Sequence, residues 1–155
     1  MIKNLLVVCI GNICRSPMAE GLLRARLPEI NIISAGISAL VGQPAESSAC
    51  ELLNASGIDI SGHKAQQIAG WMCEQADLIL VMDREQRRFV ERLFPSISGK
   101  VFRIGEYGNF DVADPYRMGS HAFSVSLSSI ERGVHDWVRR IETINNVTTV
   151  MHGSQ

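Results

Sequence analysis

Apolar positions along the chain switch repeatedly between continuous short runs and helical spacing. Leu5 to Ile10 is an apolar, β-branched run that stops at Gly11-Asn12, the pattern of a strand buried on both faces and ending in a tight loop. Ser16 and Pro17 then open a helix, with Ser16 expected as N-cap, Pro17 at the first helical position, and Met18, Leu22 and Ala25 on one face before Pro28. A second strand is expected over Asn31 to Ala35, followed by a loop through Gly36 and Gly42 and a helix from Pro44 to Ser56 with Gly57 past its end. Asp77 to Met82 reads as another buried strand. Asp83 caps a helix carrying Phe89, Val90, Leu93 and Phe94 until Pro95, and Val101 to Ile104 is a further short strand. After a loop rich in Gly, Asn and Asp, the residues Leu127, Ile130, Val134, Trp137, Val138, Ile141 and Ile144 recur at helical spacing. Strands alternating with helices predict a single-domain α/β fold, an open parallel sheet of about four strands with helices on both faces. Ligands of such sheets bind beyond the carboxyl ends of the strands, and the first such end is Cys9. The domain is expected to span 1–145, with 146–155 a loosely held tail.

The chain of 155 residues is long enough to bury a core unaided, and its formal charge of -1 gives no whole-chain attraction to nucleic acid or anionic lipid. An anion site must therefore be local. No export signal or membrane-length apolar run is legible, so no membrane insertion and a cytoplasmic location are expected. Cys9, Cys14, Cys50 and Cys73 show no C-x-x-C spacing, which argues against a zinc site or a disulfide framework. His63, His121, His135 and His152 form no recognisable ligand pair, and no metal or other cofactor is expected. The sequon Asn146-Val147-Thr148 is discounted as a chance tripeptide. Arg84, Arg87 and Arg88 are read as the solvated face of an amphipathic helix.

Candidate chemistry concentrates between the first strand and the first helix, in Cys9-Ile10-Gly11-Asn12-Ile13-Cys14-Arg15-Ser16. If this loop wraps into a cradle at the start of a helix, the N–H groups of residues Ile10 to Ser16 point inward, where the helix dipole also favours an anion. Gly11 and Asn12 tolerate the left-handed angles such a wrap needs, and Arg15 offers a planar fork to two phosphate oxygens. These surroundings favour a Cys9 thiolate, the form that attacks phosphorus, and Ser16 is placed to donate its hydroxyl to it. A phosphate ester also needs its leaving oxygen protonated. Asp77, Asp83, Asp111, Asp114 and several glutamates are candidates. Asp114 stands out because Pro115 rigidifies the loop presenting it, although an aspartate before proline also serves as a simple turn former.

Cys9 to Pro17, with Ser34-Ala35-Gly36 and Asp114-Pro115-Tyr116, resembles the low-molecular-weight protein tyrosine phosphatases along nearly the whole chain. The resemblance implies a flavodoxin-like sheet, a phosphocysteine intermediate on Cys9, phosphate binding by Arg15, and Asp114 as acid and then base. It also implies that Asn12 holds the loop's shape and that Ser16 assists the nucleophile. Ser34-Ala35-Gly36 followed by Ala39 to Gly42 is similar to the bacterial branch acting on tyrosine autokinases of capsule or exopolysaccharide export. By that resemblance the partner is a phosphotyrosine protein, an autokinase, and the product inorganic phosphate. Leu40, Tyr116 and Ile13 would form apolar walls at the mouth of the site, ordinary packing being the alternative for Leu40 and Ile13. Gln66 stands where many relatives carry a basic residue, and Arg117-Met118-Gly119-Ser120 is less basic than the family leads one to expect. A reversible disulfide between Cys14 and Cys9 is a further expectation, against a plain apolar role for Cys14.

Three other functions compete. A thiol-dependent arsenate reductase would use the same cradle but needs a further closely spaced cysteine pair, and no cysteine follows Cys73. A non-catalytic phosphotyrosine-binding module would not require Cys9, Arg15 and Asp114 together. A thiol redox protein would leave Arg15 without a purpose.

Overall fold

The computed structural model describes residues 1–153, and side chains as far as Val147. Four strands, β1 (Asn4–Cys9), β2 (Asn31–Gly36), β3 (Leu78–Val81) and β4 (Val101–Arg103), form one sheet in the order β2-β1-β3-β4. Every pairing is parallel, with Cys9 opposite Gly36 and Leu6 opposite Ile79. The first crossover leads from β1 to one side of the sheet and the next to the other side, so the order reverses at β1. At that switch point a crevice opens beyond the carboxyl ends, where the β1 and β3 loops part.

Successive strand residues face opposite sides of a sheet, and β1 divides the core accordingly. Leu5, Val7 and Cys9 join Met18, Leu23, Leu53, Ile130, Val134 and Val138 on one face, while Leu6 and Val8 join Ile68, Met72, Val90 and Ile97 on the other. The first face is covered by α1 (Arg15–Arg26), α2 (Ser47–Ala55) and α5 (Ser120–Gly153), the second by α3 (Gly70–Gln75) and α4 (Arg84–Leu93). Asp83 caps α4 as expected, its Oδ1 accepting from the Gln86 N–H at 2.8 Å. No helix among the described residues is long and apolar enough to cross a membrane.

Four sequence expectations are corrected. Helix α1 starts two residues earlier than expected, at Arg15 instead of Pro17, and Ser16 does not cap it, because its hydroxyl is turned into the loop toward Cys9 and Asn12. The buried stripe of α1 is Met18, Ala19 and Leu23; Leu22 is half-buried and Ala25 exposed, since the helix is wedged between the sheet, α2 and α5 rather than laid on one surface. Helix α3 was not foreseen: six residues are too short to show a period. Arg84 and Arg87 are not merely solvated: Arg84 donates to Asn109, and Arg87 pairs with Glu91 and Glu106 while stacking over Phe102. Of the expected tail, residues 146–153 continue α5, and 154–155 lie outside the described residues, as does the His152 side chain.

Helix α5 approaches the chain just past β4 at Gly133, where an added Cβ would lie 2.5 Å from the Ile104 carbonyl oxygen. Alanine in a helix interior normally stabilises relative to glycine by about 1 kcal/mol. Here the sign should invert. Gly133→Ala is expected to cost about 1–3 kcal/mol through overpacking, read as a thermal midpoint lowered by about 2–4 °C per kcal/mol. An unchanged or higher midpoint would show that α5 moves off Ile104 freely.

Candidate active site

The loop between β1 and α1 is shaped by where its carbonyl groups go. The carbonyl of Cys9 accepts from the Ile37 N–H (3.0 Å), that of Ile10 from Ser38 (2.9 Å), that of Gly11 from Leu40 (3.1 Å) and that of Ile13 from Glu46 (2.9 Å). The Cys14 carbonyl accepts from the Met18 N–H at 3.3 Å. The Asn12 carbonyl lies 2.6 Å from His63 Nε2, which must donate because a carbonyl oxygen only accepts. Six successive carbonyls thus point out of the loop. In a trans peptide unit the next residue's N–H points the opposite way, so the N–H groups of Ile10 to Arg15 are turned to the inside, above the first turn of α1. Such a concavity is an anion receptor.

Only Asn12 in this loop takes a left-handed conformation (φ 59°), contrary to the expectation that Gly11 shares it. Its side chain is fully buried and fixed by donors of known direction. The Gln66 backbone N–H donates to Asn12 Oδ1 at 3.0 Å, which places the amide nitrogen on the other side. Both hydrogens of Nδ2 are then spent, on Ser16 Oγ (2.7 Å) and Ser34 Oγ (2.9 Å). Ser34 in turn gives its proton to the Glu20 carboxylate, which can only accept. Ser16, with one lone pair occupied by Asn12, has its own proton free for Cys9 Sγ, 2.9 Å away. Gln66, uncharged where a basic residue was expected, uses its side-chain amide on the Ser34 carbonyl at 2.9 Å.

Arg15 is 3% exposed, and its guanidinium is aimed by three partners. Nη1 donates to the Val112 carbonyl at 2.9 Å and lies 3.5 Å from Asp83, while Nη2 is 3.6 Å from Asp114. The two carboxylates are near enough to hold the charge but beyond good hydrogen-bond distance, so the fork remains free to grip an oxyanion. Asp114 itself is 49% exposed and accepts from the Tyr116 N–H at 3.1 Å, the Asx turn that its position before Pro115 suggested. Burial, then the neighbouring charges of Cys9, Glu46 and Asp114, push the Cys14 thiol up to about 12, so it stays protonated at neutral pH.

One cavity of about 160 Å³ is lined by Cys9, Ile10, Gly11, Ile13, Cys14, Arg15, Ser38, Leu40, Asp114 and Tyr116. All three residues expected to carry chemistry meet there, together with the apolar residues expected at the mouth. Asn12 and Ser16 lie behind its wall, where they shape the loop. A larger groove of about 650 Å³ runs along α1 past Glu20, Ser34 and His63. It adjoins the back of the loop but is lined by none of Cys9, Arg15 and Asp114. Sequence reasoning missed Ser38 and His63, whose roles depend on contacts with Ile10 and Asn12, distant in sequence; for His63 the Ser-Gly-His turn carried no sign of its partner.

Residues 4–147 match the family described as low molecular weight phosphotyrosine protein phosphatase. The chain is 55% identical over 144 residues to "Probable low molecular weight protein-tyrosine-phosphatase EpsP" of Ralstonia nicotianae, covering 93% of this chain and 99% of that protein. It is similar to the crystal structure of the Erwinia amylovora tyrosine phosphatase AmsI (TM-score 0.87, 42% identity, covering 90% of this chain and 93% of that one). It is equally similar to Vibrio vulnificus Wzb in complex with benzylphosphonate (TM-score 0.87, 36% identity, covering 90% and 99%).

Replacing Asn12 by alanine leaves an unfavourable left-handed residue, takes the acceptor from the part-buried Gln66 N–H, and removes one donor from each of the Ser16 and Ser34 hydroxyls. Asn12→Ala should lose about 2–4 kcal/mol in chemical denaturation and bind inorganic phosphate at least about tenfold more weakly. Retained stability together with retained phosphate affinity would show that the outward carbonyls alone hold the cradle.

Proposed function

The chain belongs to the low molecular weight protein tyrosine phosphatase family and is a protein tyrosine phosphatase, and on that premise we propose that its chemistry runs through a phosphocysteine on Cys9. The supporting observation is the single cavity shared by Cys9, Arg15 and Asp114. The Cys9 thiolate attacks phosphorus in line, the P–O bond to the tyrosine oxygen breaks, and Asp114 gives its proton to that oxygen. Asp114, now a carboxylate, takes a proton from the water that attacks the phosphocysteine, and inorganic phosphate and thiolate are released. Ser16 donates its hydroxyl hydrogen to the departing sulfur. The equatorial oxygens keep their charge throughout, so Arg15 and the inward N–H groups of Ile10, Gly11, Asn12, Ile13 and Cys14 supply the main electrostatic stabilisation.

An aromatic ring one bond from phosphate suits an apolar mouth. Leu40, Ile13 and Tyr116 are assigned that role, and benzylphosphonate, bound by the related Wzb, presents the same pairing of ring and oxyanion. The assigned substrate is a tyrosine autokinase of exopolysaccharide or capsule export, met in the cytoplasm, a reading supported by the likeness to EpsP, AmsI and Wzb. The arsenate reductase alternative lacks its relay, since no cysteine follows Cys73.

Asp114→Asn should lower kcat/KM for a phosphotyrosine peptide by about 10²–10⁴-fold, but far less for an aryl phosphate whose leaving group needs no proton. Equal losses on both would remove the general-acid assignment. Cys9→Ser should bind the peptide without turnover, and an autokinase should gain phosphotyrosine in cells carrying only that variant. Unchanged autokinase phosphorylation would remove the substrate assignment while leaving the chemistry intact.

A further inference from the structure

Asp114 sits near the end of a long connection, residues 104–119, that contains neither helix nor strand. Connections of this length inside a compact domain need their own internal fastening to hold one conformation. The fastening begins at Arg103, the last residue of β4 and 5% exposed. Its guanidinium is used on three side chains of the following loop. Nε donates to Glu106 at 3.2 Å, Nη1 to Asp111 at 2.9 Å and Nη2 to Asn109 at 2.9 Å. Asn109 is itself left-handed (φ 53°) and also accepts from Arg84 Nη2 at 2.8 Å, while Glu106 lies 3.6 Å from Arg87, so the loop is tied to α4 as well. The Arg103 carbonyl accepts from Trp137 Nε1 at 3.0 Å, which ties the same residue to α5.

From Asp111 the chain reaches Asp114 through three residues held by different parts of the molecule. Arg103 holds Asp111; the Met82 carbonyl and Arg15 Nη1 hold Val112 through its N–H and carbonyl, both at 2.9 Å; Ser126 Oγ holds the Ala113 carbonyl at 2.7 Å. A buried guanidinium is a poor choice for stability alone, because its desolvation offsets much of what its ion pairs gain. Burial here opposes the charge, yet the bonds and charges of Asp111 and Glu106 outweigh it and hold the group above its ordinary value. A planar fork spread over three side chains of one loop fixes geometry, and proton transfer is sensitive to displacements of about 1 Å.

We propose that Arg103 is a positioning residue for Asp114, fastening Glu106, Asn109 and Asp111 so that the carboxyl group is presented at the cavity mouth. The proposal rests on the reading of Asp114 as proton donor. It touches neither substrate nor the reacting atoms, so its signature is dependence on the leaving group.

The test compares Arg103→Met, Asp114→Asn and the double variant on a phosphotyrosine peptide and on 2,4-dinitrophenyl phosphate, reading kcat/KM. Arg103→Met is expected to lose about tenfold or more on the peptide and less than about threefold on the activated ester. Added to Asp114→Asn it should cost nothing further on the peptide, because the donor it serves is already absent. Equal losses on both substrates, or additive losses in the double variant, overturn the proposal. If Asp114→Asn itself shows no dependence on leaving group, the general-acid reading fails and this proposal with it; dependence in Asp114→Asn without dependence in Arg103→Met sinks this proposal alone. Should Arg103→Met not fold, Asp111→Asn, altered at a half-exposed carboxylate, is expected to show a smaller shift in the same direction, and no shift in that folded variant is equally decisive.

Discussion

The structure depends above all on six successive carbonyl groups, those of Cys9 to Cys14, being satisfied on the outside of one loop. Buried carbonyls need partners, and here the partners come from the segment after β2, from His63 and from the first turn of α1. The consequence for the inside follows from peptide planarity alone: N–H groups converge, and a site for an anion exists before any charged side chain is considered. The constraint reaches into the second strand. An added Cβ on Gly36 would lie 2.5 Å from the Ile10 carbonyl oxygen, so a glycine at the end of β2 is what lets residues 37–46 close around the loop.

The parallel sheet gives the remaining chemistry an address. Loops leaving the carboxyl ends of β1, β2, β3 and β4 carry Cys9 and Arg15, Leu40, Asp83 and Asp114 respectively, and the reversal of strand order at β1 brings them around one opening. Arg15 is where they meet. It is anchored firmly to a neutral carbonyl and only loosely to two carboxylates, Asp83 at 3.5 Å and Asp114 at 3.6 Å. A guanidinium locked into short bidentate bonds with those carboxylates would offer an incoming phosphate little. The arrangement orients the fork while leaving it available, and Asp83 joins it to the N-terminus of α4.

Local patterns made the strands, α4 and α5 legible, and the spacing of Cys9 and Arg15 at a strand-to-helix junction pointed to the loop. Asp114 was singled out by Pro115 and by its place in a polar loop. What sequence could not show depends on partners distant along the chain. Ser16 looks like a helix cap because caps are local; its hydroxyl serves Cys9 and Asn12 instead, a contact that exists only once the loop has wrapped. His63 and Gln66 contribute to Asn12 from more than fifty residues away. Arg84 and Arg87 had a helix-surface pattern, and only the fold brings Asn109, Glu106 and Phe102 against them.

The two halves of the site are ordered by different means. The loop from Cys9 to Arg15 is held by main-chain hydrogen bonds, with Asn12 as the principal side-chain contributor, so its shape depends little on which apolar residues stand at positions 10 and 13. The loop bearing Asp114 adds side-chain fastening to its main-chain bonds: a fork at Arg103, the Ser126 hydroxyl on the Ala113 carbonyl, Arg15 on the Val112 carbonyl, and the arginines of α4. A phosphate is the same whatever protein presents it, whereas the surface around a phosphotyrosine is not. A main-chain receptor for the constant group, beside a loop with added side-chain fastening that carries the exposed Tyr116 and Arg117, lets the mouth vary in sequence without disturbing the anion cradle.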